Sequence, residues 1–179
     1  MTDIAFVEFP KMPRLSREIV VTEKIDGTNA QVHITDDGRI LAGSRTRWIT
    51  PENDNFGFAA WVRDNADALL QLGPGSHFGE WWGAGIQRRY GLDHKRFSLF
   101  NVDRWGTDRP ACCDVVPVLY RGPFDTFEID TALAHLAATG SVAAPGFMKP
   151  EGVVVYHIAG RVGFKKTLEK DEVPKGMAA

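Results

Sequence analysis

The segment best suited to chemistry is residues 23–29, which read EKIDGTN. Lys24 follows a run of β-branched residues, and an Asp-Gly pair begins two residues after it. An amine partly removed from water at the end of a strand loses its charge more readily and can act as a nucleophile. Gly27 permits a turn that brings the backbone close to a ligand, and Asn29 offers hydrogen bonds to phosphate or ribose. The alternative interpretation is an exposed lysine before an ordinary Asp-Gly turn.

Further segments change the balance between these interpretations, because they occur in a fixed order after the first one. They read FGE at residues 78–80, FSLFNV at 97–102, EGVV at 151–154 and FKKT at 164–167. With residues 23–29 they resemble motifs I, III, IIIa, IV and V of the covalent nucleotidyltransferases, which are the ATP-dependent DNA and RNA ligases and the capping guanylyltransferases. Residues 44–47 (SRTR) resemble the arginine-bearing segment that follows motif I in RNA ligases. The closing asparagine of motif I and this segment are most similar to the phage nick-sealing RNA ligases.

The resemblance implies a role for each matching residue. Lys24 would attack the α-phosphate of ATP, expel pyrophosphate and retain AMP through a phosphoramidate bond. Glu80 would bind the ribose hydroxyls, and Phe100 would stack on adenine. Glu151 would hold a hydrated Mg²⁺ or Mn²⁺ beside the lysine, with Glu80 as a second carboxylate acting through water.

The same resemblance assigns further contacts with the nucleotide. The backbone around Glu23 would meet the edge of adenine, while Asn29 and Arg45 would contact phosphates of the nucleotide or of an RNA end. The implied catalytic residues are Lys24, Glu151 and Lys165. The implied nucleotide-binding residues are Glu23, Lys24, Asp26, Gly27, Asn29, Arg45, Glu80, Phe100, Glu151, Lys165 and Lys166.

Two adjacent lysines, Lys165 and Lys166, are the candidates to contact the α-phosphate. Neighbouring residues of a strand point to opposite faces of the sheet, so only one of the two can readily reach inward. The family pattern places its lysines two residues apart, and here Thr167 occupies the second of these positions. We therefore favour Lys165.

The elements that must position these residues are predicted from hydrophobic periodicity and turn residues. A helix at residues 125–139 would turn Phe127, Leu133, Leu136 and Ala137 inward. A second helix is predicted at residues 58–72. Strands are predicted at residues 18–23, 30–35, 39–43, 77–82, 97–102, 115–120, 152–158 and 161–164. Strands and helices do not alternate regularly, which favours an α+β fold with mainly antiparallel sheets and flanking helices over a Rossmann fold or barrel. The resemblance narrows this class to the ATP-grasp-like nucleotidyltransferase domain of ligases.

Length and charge set bounds on domains and partners. The 179 residues are expected to form one nucleotidyltransferase domain over residues 1–179, without a C-terminal OB-fold or helical domain. The 21 Lys and Arg residues against 23 Asp and Glu residues give a net charge of -2, so nucleic-acid binding requires a local basic face. Residues 88–96 are the best candidate for it. No apolar run is long enough to span a membrane, and we expect the protein in the cytoplasm, or in a host cytoplasm if a phage encodes it.

The function implied by the resemblance is ATP-dependent RNA ligation in three steps. The enzyme would become adenylylated, transfer AMP to a 5′-phosphate and join that end to a 3′-hydroxyl. RNA is favoured over DNA as the substrate, and an accessory protein could help to bind it. The alternatives are a nucleotidyltransferase acting on an acceptor other than nucleic acid, and a module that binds nucleotide or RNA without sealing it.

Overall fold

The computed structural model describes residues 4–169 and 171, and it consists of two β-sheets with helices packed against them. Within this part of the chain the strands are β1 (Glu18–Lys24), β2 (Thr28–Ile34), β3 (Ile40–Ser44), β4 (Trp48–Ile49), β5 (Gly75–Gly83), β6 (Lys95–Leu99), β7 (Asp114–Val115), β8 (Val118–Pro123), β9 (Gly152–His157) and β10 (Val162–Thr167). The helices there are α1 (Phe58–Asp64), α2 (Ala66–Leu69) and α3 (Thr126–Thr139), and a 3-10 turn covers Leu70–Leu72.

The two sheets differ in size and share no strand. The four-stranded sheet has the order β10-β9-β1-β8 and is antiparallel throughout. The six-stranded sheet has the order β4-β3-β2-β5-β6-β7, with only its β6–β7 pair parallel. This architecture confirms the predicted α+β class with mainly antiparallel sheets. The tail of the chain expected to complete the 1–179 domain includes residue 170 and residues 172–179, which lie outside the described residues.

Each sheet has its own hydrophobic core. Helix α1 packs on the six-stranded sheet through Phe58 and Val62, and α3 packs on the four-stranded sheet through Ile129 and Leu136. Strand β1 is rich in β-branched residues, which favour strands, and it is buried along most of its length. A third cluster contains Ile25 and Val116, which lie in the two segments that connect one sheet to the other. Trp82 of β5, Tyr90 and Ala144 complete it.

The predicted helix at residues 58–72 is interrupted at Asn65. The side-chain amide of Asn65 donates a hydrogen bond to the carbonyl oxygen of Trp61 at 2.8 Å. An asparagine that bonds to the preceding turn competes with helical hydrogen bonding, and the chain continues as α2 and the 3-10 turn.

The inner face of α3 also differs from the prediction. Phe127 is 71% exposed and Ala137 is exposed, whereas Ile129 and Ala132 are buried beside Leu136. Positions 129, 132, 133 and 136 have the i, i+3, i+4, i+7 spacing of one helical face. Residues two positions apart on a helix point in directions that differ by about 200°, so Phe127 lies nearly opposite Ile129.

Pro117 marks the place where the chain changes sheets. The predicted strand at residues 115–120 is divided into β7, in the six-stranded sheet, and β8, in the four-stranded sheet. Proline lacks an amide hydrogen for a sheet ladder, which favours a break at this position. No helix within residues 4–169 and 171 has the length and apolarity needed to cross a membrane.

Candidate active site

Lys24 and Glu151 form an ion pair at the junction of the two sheets. Lys24 ends β1 opposite Gly152, the first residue of β9, so strand pairing brings Glu151 beside it. The Nζ atom of Lys24 lies 2.5 Å from Oε2 of Glu151, with side chains 19% and 6% exposed. A Cβ on Gly152 would lie 2.7 Å from Cα of Thr167, so the glycine lets this end of β9 lie close to β10.

Glu80 lies on the neighbouring sheet and receives hydrogen bonds from the turn after Lys24. Asn29 is paired with it across β2 and β5. The backbone N–H of Gly27 donates to Oε1 at 3.0 Å, and Nδ2 of Asn29 donates to Oε2 at 3.3 Å. A Cβ on Gly27 would lie only 2.7 Å from Cβ of Trp82, so a glycine is needed for the turn to pack on β5.

Burial raises the pKa of the Glu80 carboxyl from 4.5 to about 7. The N–H of Gly27 and the positive charge of Lys24 oppose this increase, while the negative charges of Glu151 and Asp26 add to it. Glu80 is therefore only partly ionised near neutral pH. A ligand that supplies hydroxyl donors or positive charge would favour its ionised form.

A cleft of about 820 Å³ opens beside these groups. Phe78 and Phe100 are 57% and 41% exposed and present aromatic surface to it. Lys24, Asn29 and Glu80 also line it. The cleft is thus mainly apolar along its walls, with an amine and a carboxyl group at one end, a combination typical of nucleotide-sized ligand sites.

Strand alternation determines which lysine of β10 shares a face with Lys24. Lys165 is opposite Val154, and Val154 is opposite Thr22 in β1. Directly paired residues point to the same face, as do residues two apart on a strand. Val154 and Thr22 line the cleft, so the exposed Lys165 is on the cleft face of the sheet.

Lys166 is on the other face, which corrects the expectation that it contacts the nucleotide. It is opposite Val153, a fully buried member of the core beneath α3. Its Nζ lies 2.5 Å from Oδ1 of Asp130 on α3. The side chain therefore forms an ion pair on the face of the sheet opposite the cleft.

Glu23 has a packing role that the sequence did not reveal. Its carboxylate, 1% exposed, accepts hydrogen bonds from the Ser141 hydroxyl at 2.5 Å and from the N–H groups of Val142 and Ala143 at 2.8 Å. Its own N–H donates to the carbonyl oxygen of Pro117 at 2.9 Å. This N–H is thus engaged, but Glu23 also lines the cleft described above, so the contact between the backbone around Glu23 and adenine stays a prediction.

Two other expected residues differ in their placement. Arg45 is exposed just beyond β3, does not line the cleft and has no bonding partner among the described residues. Asp26 accepts a hydrogen bond at Oδ2 from Nε of Arg88 at 3.0 Å, and its N–H donates to the Tyr90 hydroxyl at 2.7 Å. Asp26 therefore holds the turn after Lys24 in place and does not line the cleft.

Most of the cationic side chains in the proposed basic face at residues 88–96 are engaged in contacts within the protein. Arg88 bonds to Asp26, Lys95 donates to the carbonyl oxygen of Phe56, and Arg96 pairs with Asp114. Arg89 alone among these four cations has an exposed side chain without a bonding partner in the described part of the chain. The sequence pattern identified the charges but could not show which of them face solvent.

Sequence analysis also missed several residues that line the cleft. Phe78 is two residues before Glu80, and Thr22 is two residues before Lys24, so strand alternation was the signal that could have identified both. Tyr156 follows in the same way from Val154. Arg161 lines the cleft from the turn between β9 and β10, and no local pattern indicates that position.

The acidic groups at the site are suited to a divalent cation that takes most of its ligands from water or phosphate. No group of three or more His, Cys, Asp or Glu side chains that could hold a metal is present in residues 4–169 and 171. Glu151 and Glu80 nevertheless place two carboxyl groups around Lys24, and the negative charge of Glu151 raises the pKa of Glu80. Carboxylate, water and phosphate oxygens are the ligands that Mg²⁺ and Mn²⁺ favour.

Comparison with known proteins gives a consistent result. A family model described as RNA ligase matches residues 17–170. A solved variant of the Naegleria gruberi RNA ligase with AMP and Mn is 23% identical, has a TM-score of 0.60 and is matched over 86% of this chain and 50% of that one. Another variant with ATP and Mn is 21% identical, has a TM-score of 0.62 and is matched over 87% and 51%. No curated protein matches the chain. The chain shares the fold of these structures and spans about half their length.

Proposed function

This chain belongs to the RNA ligase family, and on that premise we propose that it is an ATP-dependent RNA ligase that works through a lysyl-AMP intermediate. The observation that carries the proposal is the arrangement of Lys24 and Glu80, which line the cleft, with Glu151, which is ion-paired to Lys24. These residues carry the groups that the reaction needs. Lys24 supplies an amine, Glu151 a carboxylate hydrogen-bonded to that amine, and Glu80 a partly ionised acid nearby.

Lys24 is the proposed nucleophile. A bond forms between its Nζ and the α-phosphorus of ATP as the bond from that phosphorus to the pyrophosphate oxygen breaks. The amine must be unprotonated to attack, and Glu151 at 2.5 Å is placed to accept the proton. Lys165, on the cleft face of β10, would offset the negative charge that develops on the α-phosphate.

The nucleotide would be held by the walls of the cleft. Phe100 offers an exposed ring for stacking on adenine, and Phe78 adds aromatic surface beside it. Glu80 would accept hydrogen bonds from the ribose hydroxyls. A Mg²⁺ or Mn²⁺ ion held by Glu151 through water would supply positive charge beside the α-phosphate. The solved Naegleria gruberi variants contain ATP or AMP with Mn, in agreement with this assignment.

The second and third steps concern RNA. AMP would pass from Lys24 to a 5′-phosphate, and a 3′-hydroxyl would then displace it and seal the strand. The side chains of Arg45 and Arg161 have no hydrogen-bond or ion-pair partners among the described residues and are available for RNA phosphates. The proposal places this activity in the cytoplasm, where ATP is present and where the neighbouring free thiols Cys112 and Cys113 stay reduced.

A labelling experiment tests the proposed nucleophile. The protein is incubated with Mn²⁺ and ATP labelled in the α-phosphate, then denatured and separated on a gel. We expect a labelled band from the native chain and none from Lys24→Ala, because the variant lacks the amine that retains AMP. Lys149→Ala is a matched control, since Lys149 is a lysine near Glu151 that does not line the cleft, and it should label normally.

The acceptor is tested by chasing the labelled protein with nicked RNA and nicked DNA that carry a 5′-phosphate. Transfer of the label to RNA supports ligation. Absence of any labelled protein would contradict both enzymatic alternatives and leave a nucleotide- or RNA-binding module. A stable labelled protein that never transfers AMP to either nucleic acid would favour a different acceptor.

A further inference from the structure

One loop holds both segments that carry the Lys24–Glu151 pair. Nε of Arg88 donates to Oδ2 of Asp26 at 3.0 Å, and Nη1 of Arg88 donates to the carbonyl oxygen of Lys149 at 3.1 Å. Asp26 is two residues after Lys24, and Lys149 is two residues before Glu151. A single guanidinium group therefore links the chain on the nucleophile's side to the chain on the carboxylate's side.

The loop itself is firmly fixed to the body of the protein. Ile86 and Tyr90 are 0% and 2% exposed. The Tyr90 ring packs edge-on against Trp82 with centroids 4.9 Å apart, and burial raises the pKa of its hydroxyl, which stays neutral. That hydroxyl accepts the N–H of Asp26 at 2.7 Å, so two residues of one loop hold Asp26.

The backbone of this loop adopts an uncommon conformation. Gln87, Arg89 and Tyr90 have φ angles of 42°, 60° and 51°. Side chains disfavour this left-handed region, and such conformations persist only where surrounding contacts hold them, commonly beside functional sites. The conformation here sets Arg88 and Tyr90 toward Asp26.

We infer that Arg88 is a positioning residue that fixes Lys24 against Glu151 for the transfer of AMP. This inference rests on the proposed function. Arginine suits the role because its planar fork can donate to two acceptors at once, here a carboxylate and a backbone carbonyl. Lysine at this position could satisfy one of the two acceptors but could not join them with fixed geometry.

The first test separates positioning from ATP binding. In single-turnover labelling across a range of ATP concentrations, we expect Arg88→Ala to lower the maximal rate at least tenfold and to change the half-saturating ATP concentration less than threefold. Arg88→Lys should recover part of the rate. Arg89→Ala, which removes the same charge from the next residue of the loop, should label like the native chain.

Chemical rescue distinguishes positioning from damage to the fold. Added methylguanidinium should raise the rate of Arg88→Ala at least fivefold and leave Arg89→Ala unchanged. A rate for Arg88→Ala within twofold of native would overturn the inference. So would a loss that methylguanidinium fails to restore in a protein with a lowered melting temperature, because that pattern indicates a structural defect.

A second readout does not depend on the reaction. Reductive methylation mapped by mass spectrometry measures how accessible each lysine amine is. We expect Lys24 to be protected in the native chain and to react at least fivefold faster in Arg88→Ala, with Lys165 unchanged. Equal protection of Lys24 in both proteins would overturn the inference. Failure of the native chain to label would instead contradict the proposed function, while this measurement would still judge Arg88.

Discussion

Glu80 combines a proposed binding role with a position that penalises its charge. Burial raises its pKa from 4.5 to about 7, so the folded protein retains a proton that the unfolded chain would release. This penalty is absent below pH 4.5, where the carboxyl is protonated in both states, and it grows as the pH rises from 4.5 through 7. At 1.36 kcal/mol per pKa unit, the difference costs about 3 kcal/mol of folding free energy in alkaline solution.

Glu80→Gln should therefore raise the free energy of unfolding and lower labelling by ATP. The amide is neutral at every pH, so we expect the variant to exceed the native chain by about 3 kcal/mol in free energy of unfolding at pH 8 and by much less at pH 5. Urea unfolding without metal ions at both pH values measures this. Labelling by ATP should fall, because an amide accepts the ribose hydroxyls less strongly than a carboxylate does.

The exposed Glu8 provides the control for this experiment. Glu8→Gln removes the same charge and should leave the unfolding free energy unchanged at both pH values. An advantage of Glu80→Gln that is equal at pH 5 and pH 8 would show that titration of Glu80 is not the cause. No change in labelling would argue against contact between Glu80 and the nucleotide.

At the scale of elements, β10 separates two adjacent lysines onto opposite faces. Lys165→Ala should slow labelling about a hundredfold, the effect expected when one charge-stabilising group is removed from a transition state. Lys166→Ala should stay within threefold of native, since its partner Asp130 is on α3. That ion pair is partly exposed and should contribute about 0.5 kcal/mol to stability. Rates from quenched time courses compare the two variants, and equal losses would contradict the assignment by strand register.

These elements also show which parts of the structure the sequence could predict. The alternation and β-branching of β1, β2 and β9 were sufficient to locate these strands and the motifs at their ends. The inner face of α3 was misassigned because Phe127 is large and apolar yet lies on the outer side of the first helical turn. The break at Asn65 depends on one side-chain hydrogen bond, which propensity alone does not reveal.

Long-range contacts explain why the sequence could predict only part of the site. The motifs identified Lys24, Glu80 and Glu151, and the structure brings these residues together. The role of Arg88 depends on contacts with residues about sixty positions away in both directions, for which no local pattern exists. For the same reason, the sequence showed Glu23 as part of a motif but did not show the segment at residues 141–143 that its carboxylate holds.

For the whole molecule, the main question is how a chain with a net charge of -2 would hold the RNA substrate proposed for it. Three of the four cations proposed as a basic face are engaged internally, by Asp26, Asp114 and the carbonyl oxygen of Phe56. The solved RNA ligases that it resembles are about twice as long as the matched region. Because those three cations are engaged internally, we expect the described residues to make few phosphate contacts.

Salt dependence tests that expectation, because each phosphate contact releases bound counterions. With about two contacts, raising salt from 50 to 200 mM should lower the efficiency of AMP transfer to nicked RNA about tenfold. Self-labelling with ATP should change much less. The measurement compares both steps in the same salt series, using protein that has already been labelled for the second step.

Arg45 gives this experiment its residue-level control. Arg45→Ala should reduce the slope of log efficiency against log salt by about one, the loss of one phosphate contact. Arg63→Ala should not, since Arg63 pairs with Asp64 on α1. A thousandfold loss of transfer over the same salt range would require six or more phosphate contacts and would contradict the inference that internal pairing leaves few cations for RNA.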